Sequence, residues 1–388
     1  MLQFRTLLRD NHDHDIVIAG ASIAGLFAAY HLARAGKRVH VYEAQAPFQP
    51  AERTLIVTPT FLRLLDFDAG DAILHRTDTF ELISRSASAR VQLSEPDVVI
   101  ERSRLMRLLA QRAQAAGAQI HWGARLQMVQ NHRPEPLVHV AMGYKERTLP
   151  ASCIIGADGA DSIVARDTGL DGFERVALVQ ARVRRPADLP PNVVRVWFDR
   201  ALTRFFLWLI PESEHTAAAG LIADSLEEAE QGLQRLLAFE GLEVIEQQEQ
   251  SWVPLYPLSL RRPSATPDGH VFLVGDAAGQ VKVTTVGGVV AGMRGALALA
   301  RALCAGSTYA GELRPLRSEL FWHAFVRHML DGFSDADYDL LLRLLNHRAV
   351  RVLGQYDRDR LAQAVWRVFL AQPGWFLLGL RALARGLR

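Results

Sequence analysis

Short apolar runs and longer helical repeats alternate along this chain. Ile16, Val17 and Ile18 predict a buried strand, the stretch from Ile23 repeats its apolar positions at helical spacing, and Val39–Tyr42 predicts a second strand ending at Glu43. Two further runs, in ASCIIGADGADS (151–162) and VFLVGDAAG (271–279), are short buried strands that each end at a glycine and an aspartate. A long alanine-rich helical pattern follows Gly287 and Gly288. Between 171 and 264 the runs NVVRVWF, TRFFLWLIP and HTAAAGLI read as strands and SLEEAEQGLQRLLAFEG as a helix, which suits a mixed sheet. Alternation along the aromatic run places Phe206, Trp208 and Ile210 on one face, and Phe205, Leu207 and Leu209 on the other. Beyond Gly306 the pattern is helical, strongest in LLRLLNHRAVRVLG and LAQAVWRVFLAQPGWFLLGLRALARGLR. The order of elements predicts an α/β fold.

The first strand, turn, helix and strand carry the chemistry of a dinucleotide site. Gly20 allows a tight turn, Gly25 lets the helix pack on the sheet, and the amides opening that helix lack intrahelical partners and so face a pyrophosphate. Ser22 stands where the usual fingerprint has its middle glycine, and its small side chain still allows a phosphate to approach. Glu43 is placed to accept hydrogen bonds from ribose hydroxyls and would repel a 2′-phosphate, favouring FAD or NAD over NADP.

Composition narrows the picture. The chain has 388 residues, 49% of them hydrophobic, enough for a large core and two or three domains. A net charge of +2 gives no reason to expect nucleic acid, and no Cys/His array has metal-site spacing, so no metal is expected. Two cysteines, Cys153 and Cys304, suit a reducing, cytoplasmic compartment. His12 and His14 belong to a solvated tail, and no run is long and apolar enough for a signal peptide or a membrane-spanning helix. The last stretch mixes Trp375, Phe376, Leu377, Leu378 and Leu380 with Arg381, Arg385 and Arg388, a composition that fits either a helix on an anionic membrane surface or one packed on the protein itself.

Taken in order, these motifs resemble the FAD-dependent oxidoreductases of the p-hydroxybenzoate hydroxylase fold, and within them the geranylgeranyl reductase branch. The resemblance implies a Rossmann-like FAD-binding domain with an inserted mixed β-sheet substrate domain and a helical C-terminal region. We place the FAD domain at 1–75, 95–165 and 265–305, the substrate domain at 76–94 and 166–264, and the helical region at 306–388. The implied cofactor residues are Gly20, Ser22, Ala24, Gly25 and Glu43 for the ADP half and Asp158 and Gly159 near the pyrophosphate. Asp276 falls to the ribityl chain, and Gly288 and Val289 to the flavin pyrimidine edge. VIERSRLMRLLAQRAQAAGAQIHWGARL looks like the family segment in which Arg102 reaches the cofactor phosphates and the Leu126 backbone borders the adenine; Arg53 is a further candidate. FFLWLIPES is similar to the aromatic strand of geranylgeranyl reductases, so Phe206, Trp208 and Ile210 are expected to line a substrate cavity.

The family chemistry belongs to the flavin, and no catalytic acid or base stands out, although Lys282 and Thr284 precede the flavin-facing turn. Three readings follow. The first is a reductase of carbon–carbon double bonds in a hydrophobic, isoprenoid-like substrate; the second is a monooxygenase hydroxylating an aromatic or polyketide substrate; the third is a flavin-binding protein without turnover. NAD(P)H is the expected transient electron donor for the enzymes, and peripheral membrane contact is expected through the C-terminal segment.

Overall fold

The computed structural model describes residues 15–131, 135–248, 250–260 and 262–386, so the tail with His12 and His14, and Arg388, lie outside the described residues. Five parallel strands form the first sheet, in the order Val271–Leu273, Cys153–Gly156, Ile16–Ala19, Val39–Glu43, Gln119–Trp122. Its strands Val271–Leu273, Cys153–Gly156 and Ile16–Ala19 are buried on both sides because both faces are covered. Ile16 and Ile18 pack under helices Ile23–Arg34, Arg102–Ala115 and Val289–Ala305, whereas Val17 and Ala19 meet a small antiparallel sheet (Ala124–Gln130, Leu137–Met142, Lys145–Pro150) and helix Ile163–Asp167.

The second sheet has nine strands. Its path runs Val244–Gln247, Glu174–Arg184, Thr216–Ala223, Leu207–Pro211, Val193–Trp197, Ile73–Ile83, Ser88–Glu101, Thr54–Val57, and Ser251–Leu255 pairs off this path with Glu174–Arg184. It is mixed: Val193–Trp197 runs parallel to Ile73–Ile83, while the other pairings are antiparallel. Leu207 and Leu209 lie under the amphipathic helix Leu226–Phe239, and Trp208 and Ile210 lie on the opposite face. Trp208 fits there because its cross-strand partner is Gly220, where an added Cβ would stand 2.5 Å from the indole.

Residues 75 and 95, where the sequence suggested boundaries between domains, fall inside the long strands Ile73–Ile83 and Ser88–Glu101. Thr54–Val57 and the end of the Ser88–Glu101 strand, placed with the dinucleotide domain from sequence, pair with each other in the large sheet. Glu101 then caps helix Arg102–Ala115, so one continuous stretch of chain joins the two sheets.

The C-terminal region is helical, but its two strongest apolar patterns are each broken. Asn346 accepts from the Ala349 amide and starts a new helix at His347, and Pro373 separates Leu361–Ala371 from Pro373–Gly386. Leu378 and Ala382 of the last helix are buried in a small core with Phe333 and Tyr338, while Phe376, Leu377 and Leu380 are exposed.

Arg385 fastens that helix by paired bonds of 2.7 and 2.9 Å to Asp337, which also completes a capping box with Ser334. The Arg385 bonds, offset slightly by burial and aided by Ser334, hold the Asp337 carboxyl down at about 2. A carboxyl held low stabilises the fold above its unfolded value and loses that contribution as pH falls through the folded one. We predict that D337N costs about 1 kcal/mol at pH 7, allowing for solvent screening at the half-exposed Arg385. The gap from the parent should close between about pH 4 and pH 2 in denaturant titrations; a gap that persists at the acid end would contradict the pairing.

Candidate active site at the carboxyl ends of the parallel strands

Three turns converge above the parallel sheet. Gly20 has φ +89°, and a Cβ there would stand 2.7 Å from the Ala157 carbonyl oxygen. A Cβ on Gly25 would stand 2.5 Å from the Gly20 carbonyl and 2.8 Å from the Ala157 methyl, so the helix can lie on its strand only with glycine at this position. Ser22 is the N-cap and accepts from the Gly25 amide at 3.2 Å, leaving the amides of Ile23 and Ala24 without a side-chain cap. Glu43 ends the second strand and folds back over the turn, accepting from the amides of Ala21 at 2.8 Å and Gln45 at 2.9 Å.

Asp158 serves its own turn. One carboxylate oxygen accepts from the Ser162 hydroxyl and the other from the Ile163 and Val164 amides, which caps the helix that follows. Gly159, at φ +86°, stands in open space. Leu126 is buried against Val17, Ala19 and Tyr42 beside an irregularity in strand pairing.

Asp276 is the contrasting carboxylate. Burial pushes it above the ordinary range, partly countered by the guanidinium charges of Arg53 and Arg102, and it receives no side-chain or backbone hydrogen bond among the described residues. The Arg102 amide donates to the Arg53 carbonyl at 3.0 Å, and Glu101 accepts from the amides of Arg53, Ser103 and Arg104. Burial raises the Glu101 carboxyl, but the Ser103 hydroxyl and these amides outweigh it and hold it low. A Cβ on Gly288 would stand 2.9 Å from Asp276 Oδ1. Gly288 starts the 17-residue helix Val289–Ala305, which has no side-chain cap, so its first amides are bare beside that carboxylate.

The turn from Lys282 to Gly288 floors an apolar cavity of about 320 Å3 between the large sheet and the C-terminal helices. Phe206, Trp208 and Ile210 line it, as the alternation indicated, with Phe206 just before the paired strand. Phe205, placed by alternation with Leu207 and Leu209, is instead buried with Trp208 and Ile210, because strand pairing begins only at Leu207. Trp208 donates to Gln180, whose own amide donates to Gln248 and the Thr54 carbonyl.

Behind the lining residues Lys282, Thr284 and Arg358 lies a set of polar partners. Lys282 Nζ pairs with Asp359 Oδ1 at 2.8 Å, and the Thr58 hydroxyl donates to the other Asp359 oxygen. Burial raises the Asp359 carboxyl, while the charge and bond of Lys282 and the bond from Thr58 bring it below the ordinary range. His323 is pushed down to about 3 by burial and by the nearby Lys282 charge, and is therefore neutral. Its Nε2 faces the Arg358 carbonyl, which can only accept, so Nε2 carries the hydrogen and Nδ1 accepts from the Thr284 hydroxyl. Arg358 pairs with buried Asp97 and lies 4.6 Å over the Phe80 ring.

The sequence reading missed His323, Arg358, Asp359, Asp97 and Thr58. Each lies in an ordinary helix, strand or loop, and only Lys282 and Thr284 sat close enough to a motif to be noticed.

Known proteins share the family match and the fold. The FAD binding domain family matches residues 13–314. Digeranylgeranylglycerophospholipid reductase 2 of Methanothermobacter thermautotrophicus is 28% identical over 364 residues, covering 86% of this chain and 91% of that protein. A solved geranylgeranyl bacteriochlorophyll reductase-like protein from Thermoplasma acidophilum shares the fold at a TM-score of 0.78 and 18% identity, over 95% of this chain and 99% of its own. OxyS anhydrotetracycline hydroxylase from Streptomyces rimosus shares it at a TM-score of 0.64 and 21% identity, over 95% of this chain and 76% of its own.

Asp276 offers the direct test of the site. We predict that D276A folds but holds FAD more weakly by about 1–3 kcal/mol, the value of one or two buried hydrogen bonds. Cofactor content after dialysis and titration of the stripped protein would measure it, and unchanged retention would remove Asp276 from the site.

Proposed function

The chain belongs to the FAD binding domain family, and on that premise we propose that it is an FAD-dependent oxidoreductase reducing carbon–carbon double bonds of a hydrophobic, isoprenoid-like substrate. We propose NAD(P)H as its transient electron donor. The observation that carries the reading is the apolar cavity whose floor is the turn opening helix Val289–Ala305. The groups around that turn suit a flavin nucleotide, since the Asp276 carboxylate has no hydrogen-bond donor among the described residues and Gly288 leaves its surroundings open.

The turn and helix start formed by Gly20, Ser22, Ala24 and Gly25 would meet the pyrophosphate with the uncapped Ile23 and Ala24 amides, and Glu43 would exchange its amide partners for ribose hydroxyls. Arg53 and Arg102 would meet the phosphates, the Leu126 backbone would border the adenine, and Asp158 and Gly159 would hold the turn beneath the pyrophosphate. Asp276 would bond the ribityl hydroxyls. Reduced flavin, when bound, supplies a hydride to a double bond. The chain contributes the rest: the amides at Gly288 and Val289 favour negative charge on the reduced ring, and Phe206, Trp208 and Ile210 exclude water.

Anaerobic reduction followed by addition of geranylgeraniol tests this. We predict that the alkene reoxidises the flavin, followed by its visible spectrum, and yields a product two hydrogens heavier. Failure with alkenes, together with an oxygen-dependent flavin peroxide and a hydroxylated product, would instead establish the monooxygenase reading.

A hydrophobic substrate also suits a membrane location. No helix among the described residues is long and apolar enough to cross a membrane, so we propose peripheral contact. Trp366, Leu370, Phe376 and Leu377 are exposed on the last two helices, with Arg367 and Arg381 exposed among them. We predict salt-sensitive sedimentation with phosphatidylglycerol vesicles that W366S/L370S/L377S weakens roughly tenfold or more. Equal behaviour of parent and variant would place the contact elsewhere.

A further inference from the structure

Lysine is scarce in this protein: of 44 basic residues only Lys37, Lys145 and Lys282 are lysines. Lys37 and Lys145 are exposed, but Lys282 is buried at 6% exposure in the wall of the apolar cavity. Its Cε lies 3.3 Å, and its Nζ 3.8 Å, from where a Gly287 Cβ would stand, one residue before the helix start at Gly288. Two other buried carboxylates of this chain, Asp97 and Glu212, are paired with arginines, Arg358 and Arg182. Arginine makes the better fixed pair, whereas lysine differs in being able to release its proton.

Reducing an alkene needs two hydrogens of different kinds. One carbon takes a hydride, the π electron pair moves to the neighbouring carbon, and that carbon takes a proton, so one π bond breaks and two C–H bonds form. A cavity with mostly apolar walls offers few groups of its own to supply the proton. Among the described polar residues that line it, Arg53 and Arg358 keep their protons, and Gln180 is a fully engaged amide that takes the Trp208 N–H. The Thr54 hydroxyl donates to Glu212, the Thr284 hydrogen is committed to neutral His323, and the Thr285 hydroxyl is a far weaker acid than an ammonium.

We infer that Lys282 is the general acid of this reduction, an assignment that rests on the reductase reading. An N–H bond at Nζ breaks as the C–H bond forms, and the resulting amine recovers its proton from solvent. Asp359 is a positioning residue that fixes the ammonium in the wall. Solvent is close at hand, because a second, polar cavity of about 250 Å3, lined by Asp97 and Asp357, shares Leu93 and Arg358 with the first.

With three lysines, 15N-lysine labelling gives a readout independent of turnover, and K282R identifies the Lys282 Nζ signal by its loss. Adding a saturated C20 isoprenoid alcohol to the oxidised holoenzyme should move that signal and leave the other two in place. K282R keeps the charge and the Asp359 partner but has no proton to give, and K282M/D359N removes the buried pair without stranding either member. Both variants should retain FAD and be reoxidised by ferricyanide at the parental rate, yet lose anaerobic reoxidation by geranylgeraniol about 100-fold or more. If the parent reacts with the alkene and K282R reacts within about threefold of it, or if the alcohol leaves the Nζ signal unmoved, the assignment is overturned while the reductase reading stands. A parent that no alkene reoxidises overturns both.

Discussion

Two helix starts can face one pyrophosphate-bearing ligand only if no side chain stands between them, and the site depends on that close approach. Helices Ile23–Arg34 and Val289–Ala305 cross over the carboxyl ends of the parallel strands, where the Ala24 methyl lies 2.8 Å from where a Gly275 Cβ would be and 3.3 Å from where a Gly292 Cβ would be. A larger residue at any of these positions would push one helix away from the sheet. The same crowding brings Asp276 beside the uncapped start at Gly288, so backbone packing, more than any single hydrogen bond, creates the electrostatics of the site.

The large sheet and the helical region then enclose the space above that floor. Alternation along Leu207–Pro211 sends leucines into the core under Leu226–Phe239 and sends Trp208 and Ile210 toward the cavity. Closure on the third side comes from the C-terminal helices, which bring His323, Arg358 and Asp359 back to the flooring turn. Lys282 and Asp359 are buried as a pair, so removing either member would strand the other charge in an otherwise apolar wall.

The dinucleotide half was readable because its signals are local. Gly20, Gly25 and Glu43 lie within one βαβ unit, and each answers a backbone requirement of its own neighbourhood: a positive φ, a helix in contact with a strand, a strand end. Asn346 and Pro373 were equally local helix signals, yet the apolar periodicity running through them masked the breaks. Positions 75 and 95 lie inside continuous strands, and a strand's sequence carries its face pattern but not its partner, so Thr54–Val57 reads alike in either sheet.

Sequence alone thus determined the cofactor-binding frame and the aromatic strand above it, since both follow from turns and periodicities spanning a few tens of residues. Tertiary structure decided how the cavity is closed and which polar groups reach it. Thr58 meets Asp359 across 301 positions, and Thr284 meets His323 across 39. Such pairings arise from how helices pack on sheets, and no spacing rule along the chain encodes them.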